Sequence, residues 1–203
     1  MMGLHPTDVK ENFGSELQAV ENWLSKRKFY AIGETGIDLY WDKTFAVEQE
    51  QSLRHQIKLA KKYRLPVVLH VRDSFDEVFS VIDDTISENL KGVFHCFTGT
   101  KKQAEKIIGW GFKLGIGGVL TFKNAGLDKV VRDISLDQLI LETDSPFLAP
   151  KPFRGKRNES AHLLYVAEKL AEIKNKTVEE IASVTTQNAV QLFNFPTHHP
   201  IEE

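Results

Sequence analysis

Five short apolar runs punctuate this chain: KFYAIGE (28–34), LPVVLHV (65–71), KGVFHCF (91–97), GFKLGIGG (111–118) and DQLILET (137–143). They are shorter than an ordinary helix and too uniformly apolar for a strand with one wet face. Strands buried on both faces read this way, and such strands occur where parallel neighbours are joined by crossover helices. The intervening segments supply helices. Residues 45–64 place Leu53, Ile57 and Ala60 on one face with charges opposite. Residues 100–110 open on Thr100 as an N-cap, and the C-terminal third reads as two helices over 160–174 and 177–194. The second begins with the capping-box pattern Thr177-Val-Glu-Glu180.

No repeat or Pro/Gly-rich linker divides the 203 residues, and a hydrophobic content of 41% is enough for one sizeable core. Two α/β architectures fit: an open doubly wound sheet, or a TIM-type (β/α) barrel. An open sheet usually carries a glycine-rich phosphate turn after its first strand. Neither GxGxxG nor GxxxxGK[ST] is present, and GIGG at 115–118 lacks the spacing.

The ends of the runs carry the chemistry. The first stops at Glu34, the second at His70, the third at His95, and the last passes through Glu142 to Asp144. In a barrel the C-terminal strand ends open onto one face, so residues distant in sequence converge there. Two imidazoles and two carboxylates suit a hard or borderline cation such as zinc, manganese or magnesium. A cation would also offset the cost of burying Asp144 at the end of an apolar strand.

Other candidates are weaker. Cys96 is the lone cysteine, so no disulfide framework exists. His95 and Cys96 are strand neighbours and should point to opposite faces, which argues against a thiol–imidazole pair. His55 and His162 fall within helical patterns and read as surface or interhelical, while His198 and His199 lie in a polar tail. Arg72, two residues past His70, could touch an anionic substrate. The loop at 150–160 carries Arg154, Lys156 and Arg157, either as a solvated loop or as a phosphate clamp. Lys101 and Lys102 begin a helix, where the dipole disfavours cations, so an anion is expected nearby. A net charge of -2 and a pI of about 6.4 argue against a sequence-independent DNA coat. With no signal pattern at the start and no membrane-length apolar run, a soluble cytoplasmic protein is expected.

GLHP (3–6), AIGETGIDLYWDK (31–43), QIKLAKKYRLPVVLHVRDS (56–74), GVFHCFTGT (92–100), LGIGG (114–118), LILETDSPFLAP (139–150) and RGKRNES (154–160) together resemble the TatD family of metal-dependent hydrolases. The resemblance implies a single TIM-type (β/α)-barrel hydrolase domain over residues 1–203, with one or two divalent cations (magnesium, manganese or zinc). It implies a deoxyribonuclease, acting 3′–5′ on single-stranded DNA or 3′ ends and not on a membrane. Carried onto this chain, Glu34 bridges two metals, His70 and His95 bind one, and Asp144 binds the other and serves as general base. His5 lines the site, and Arg72, Arg154 and Arg157 contact substrate. Ser160 stands where the family pattern has proline, with little effect expected at a helix start.

The family pattern also opens with a strand ending in an HxH pair, and no HxH occurs in this sequence. By resemblance, then, the barrel is N-terminally truncated: the first βα unit and most of the second strand are expected to be absent. A metal should favour the Glu34, His70 and His95 position. Two alternatives follow: hydrolysis of D-aminoacyl-tRNA or another ester or amide on the same scaffold, or an inactive fragment with an incomplete metal centre.

Overall fold

The computed structural model describes residues 1–196. Its five strands are β1 (Ile32–Asp38), β2 (Val67–Arg72), β3 (Gly92–Phe94), β4 (Lys113–Ile116) and β5 (Leu139–Leu141). They form one sheet in the order β1-β2-β3-β4-β5, and every pairing is parallel. Strand order equals chain order. A doubly wound sheet must reverse direction at a switch point, and this one does not, so the sheet is of the TIM-barrel type. Beside β1, Met2 forms an isolated parallel bridge with Ile32.

Among the described residues seven α-helices accompany the strands: α1 (Phe13–Lys26), α2 (Ala46–Tyr63), α3 (Phe75–Thr85), α4 (Lys101–Gly109), α5 (Leu127–Asp133), α6 (Leu163–Lys174) and α7 (Val178–Phe193). Thr100, expected as an N-cap, closes a capping box with Gln103, and Thr177 closes the box with Glu180 that its spacing predicted. No helix among the described residues is long and apolar enough to cross a membrane.

The two sheet faces differ. Ile32, Ile37, Val67, Leu69, Phe94, Leu114, Ile116 and Leu139 share the main core with the helices. The opposite face has two levels. Ala31, Val68, Val93 and Ile140 form an apolar floor against Ala189, Leu192 and Phe193 of α7. Two residues further along come His70 within β2, and His95 and Glu142 immediately past the ends of β3 and β5. The sheet therefore carries a dry floor and an ionisable upper level.

One boundary differs from the sequence reading. The first strand does not stop at Glu34 but runs on to Asp38. GETGID has the glycines of a turn, yet here they permit close strand contact. Gly36 pairs with His70 at φ +150°, and a Cβ on it would collide with the His70 carbonyl oxygen. A register irregularity between Ile32 and Thr35 interrupts the ladder at Glu34.

Candidate metal centre

Glu34 lies between two histidines. Its Oε2 is 3.8 Å from His70 Nδ1, and its Oε1 is 3.4 Å from His95 Nε2. Asp144, just past β5, places Oδ1 3.5 Å from the same His95 nitrogen. His5 approaches from the other side, with Nε2 3.5 Å from Glu34 Oε2 and its ring edge-on to His70 at 4.6 Å. Its loop is fixed by the buried Gln56 of α2, whose Oε1 accepts from the Leu4 N–H (2.8 Å) while its Nε2 donates to the Leu4 carbonyl (3.0 Å).

Each central histidine has a second carboxylate on its far nitrogen. Asp38 Oδ2 is 2.9 Å from His70 Nε2, and Glu142 Oε1 is 3.0 Å from His95 Nδ1. Metal-ligating histidines usually hold this arrangement, because the outer acceptor fixes the tautomer and leaves the inner nitrogen free. The donor set fits a hard or borderline divalent cation. Ligand atoms of His5, Glu34 and His70 all lie within 4.8 Å of one another, as do those of His95, Cys96 and Glu142.

The electrostatics follow from burial and proximity. Burial opposes ionisation of Glu34, but His5, His95 and His70 together hold its carboxyl below the usual range. Burial also lowers His70, against the pull of Asp38. Burial works against protonated His95 too, yet Asp144, Cys96 and Glu142 raise it well above an ordinary histidine. The Cys96 thiol is pushed up to about 11, chiefly by burial.

Cys96 corrects an expectation. Strand β3 ends at Phe94, so alternation no longer applies, and Cys96 has φ 43°. That left-handed turn brings the thiol beside His95, and the Cys96 N–H donates to Glu142 Oε1.

The remaining candidates lie outside this cluster. Arg72 is exposed, with its guanidinium 3.9 Å from the Tyr40 ring. Arg154 and Arg157 are exposed and make no hydrogen bond or ion pair with the cluster; Arg154 sits over Phe122 at 4.5 Å. Their loop is held, not merely solvated. Buried Asn158 donates to the Phe147 carbonyl at 2.7 Å, tying the loop to the segment that carries Asp144. His162, read as surface or interhelical, is buried, with Nδ1 3.1 Å from Asn158 and its ring stacked on Phe153. The anion near Lys101 is the chain's own Asp133, at 2.7 Å. His198 and His199 lie outside the described residues.

The family model described as TatD related DNase matches residues 1–194. The chain belongs to the TatD family. YabD of Bacillus subtilis (strain 168), an uncharacterized metal-dependent hydrolase, is 44% identical over 193 residues, covering 95% of this chain and 76% of that protein. YcfH of Escherichia coli (strain K12), of the same description, is 36% identical over 193 residues, covering 95% and 72%. Among solved structures, the TatD homolog YJJV of Escherichia coli K12 superposes with a TM-score of 0.90 at 33% identity, covering 96% of this chain and 76% of that one. A TatD family hydrolase from Entamoeba histolytica gives 0.80 at 25% identity, covering 97% and 74%. The TatD motifs thus sit on the TatD fold, with GETGID supplying Glu34 and Asp38, and ETDSP supplying Glu142 and Asp144.

Proposed function

We propose that this chain is a metal-dependent hydrolase that cleaves DNA phosphodiester bonds, removing nucleotides from single strands or 3′ ends. The observation that carries the reading is Glu34 set between His70 and His95, each backed by a carboxylate on its far nitrogen. The family description, TatD related DNase, points to DNA, while the relatives' names support metal-dependent hydrolysis and give no substrate. Glu34, His70, His95 and Asp144 would hold one or two divalent cations, with His5 at the edge. A bound magnesium, manganese or zinc ion supplies charge against a phosphoryl oxygen and lowers the pKa of water.

The rest of the chemistry belongs to the side chains. Asp144, 30% exposed, is open enough to meet a water molecule and acts as general base. Water oxygen bonds to phosphorus as one of its protons passes to Asp144, the bridging P–O bond breaks, and the leaving oxygen takes up that proton to depart as an alcohol. Asp38 and Glu142 hold the two imidazoles in register while charge redistributes. Arg72, Arg154 and Arg157 are the cations available to the phosphates of an incoming strand.

The test is metal-dependent release of nucleotides from labelled single-stranded DNA, run beside D-aminoacyl-tRNA deacylation. Release that stops with chelator and in Glu34→Ala and Asp144→Asn supports the reading. Deacylation without nucleotide release overturns it in favour of an ester substrate.

A further inference from the structure

Beside the centre, β1 ends in a turn that exposes two aromatic rings. Tyr40 is 54% exposed and Trp41 is 70% exposed. The rings meet edge to face at 4.9 Å, and the Arg72 guanidinium lies 3.9 Å from the Tyr40 centroid and 5.2 Å from that of Trp41. Large exposed rings cost solubility, and two together on a turn call for a ligand.

This turn is fastened to the metal centre by one side chain. Asp38 Oδ1 accepts from the N–H groups of Tyr40 (3.0 Å) and Trp41 (3.3 Å), while its Oδ2 meets His70 Nε2 at 2.9 Å. The Leu39 N–H donates to the Arg72 carbonyl at 2.9 Å, closing β1 against β2 at the same level. The aromatic turn therefore holds a set position relative to His70.

Tyr40 and Arg72 also line an open cavity of about 630 Å³, which continues to Thr98, Thr100 and Gln103. Asp73, Asp76 and Glu77 line it too. Those carboxylates repel a phosphate backbone but accept hydrogen bonds from the N–H groups of bases. Rings, a guanidinium supported on a ring, and polar acceptors together suit a flat heterocycle whose phosphate stays on the metal side.

We propose that Tyr40, Trp41 and Arg72 form a stacking subsite for an unpaired nucleobase of the DNA strand held at the metal centre. The proposal rests on the DNA reading above and adds where a base is gripped. Stacking of this kind tolerates any base and requires it to be unpaired, so the subsite favours single strands and frayed ends.

The test compares two fluorescent probes with the same phosphorothioate backbone, an oligothymidylate and its abasic counterpart, by anisotropy with magnesium present. The native chain should bind the oligothymidylate about ten-fold more tightly, the weight of one base–aromatic stack. Tyr40→Ala/Trp41→Ala should lose that preference and keep its affinity for the abasic probe. Its backbone N–H groups still reach Asp38, so His70 remains held. Tyr40→Phe should retain the preference. Equal binding of both probes by the native chain, or a preserved preference in the double variant, overturns the subsite alone. Binding of neither probe overturns the DNA reading and the subsite with it.

Discussion

The Glu142 carboxylate occupies the space that a side chain on Gly115 would fill. Gly115 lies on β4, and Glu142 reaches across it from the end of β5 to His95 Nδ1 at 3.0 Å. Gly115→Ala should expel Glu142 from that path. Overpacking costs about 1–3 kcal/mol of stability. Loss of the outer partner should weaken metal binding by about ten-fold or more. A melting curve and a metal titration check the two effects separately, and a variant with native metal affinity would show that Glu142 does not position His95.

Asp38→Asn separates the two duties of Asp38. The amide oxygen can still accept from Tyr40 and Trp41, so the turn should persist. The charge behind His70 is lost, and metal affinity should fall by about 10–100-fold with the fold intact. Competition with a metal indicator measures it, alongside circular dichroism for the fold.

Metal removal should lower thermal stability. A cation that binds only the folded chain adds about 2.7 kcal/mol when present at a hundred times its dissociation constant. For a chain of this size that corresponds to a rise in Tm of about 5–10 °C. Chelator should abolish the rise, and Glu34→Ala should show none with or without metal. Scanning calorimetry decides the matter.

The positions of Glu34, His70, His95 and Asp144 were legible because each interrupts or follows an apolar run, and a barrel gathers strand ends. The partners behind the histidines were not. Asp38 sits in GETGID, whose glycines imitate a turn, and only the close approach of Gly36 to His70 shows that segment to be strand. Cys96 was misjudged because strand alternation was extended past Phe94, where the left-handed backbone cancels it. Glu142 was visible as one of two carboxylates after LIL, but its target depends on a glycine in the neighbouring strand. The choice of barrel over doubly wound sheet came from the family motifs and is borne out by the strand order, which the spacing of apolar runs alone does not encode. Helix starts fared better, because a capping box is local chemistry.

Thr177→Ala tests that last point. The Thr177 hydroxyl accepts from the Glu180 N–H at 3.2 Å, and Glu180 returns a bond to the Thr177 N–H at 2.9 Å. Losing the cap should cost about 1 kcal/mol in urea unfolding. Metal affinity should stay native, since α7 packs on the apolar floor through Ala189, Leu192 and Phe193.

The central claim is that Glu34 organises a divalent metal centre in this chain. The direct measurement is metal content by plasma mass spectrometry after loading with manganese or zinc and dialysis against metal-free buffer, comparing the native chain with Glu34→Ala. Retained metal near stoichiometry in the native chain, lost in Glu34→Ala, is the predicted result. No retained metal in the native chain, or equal retention in both, would contradict it.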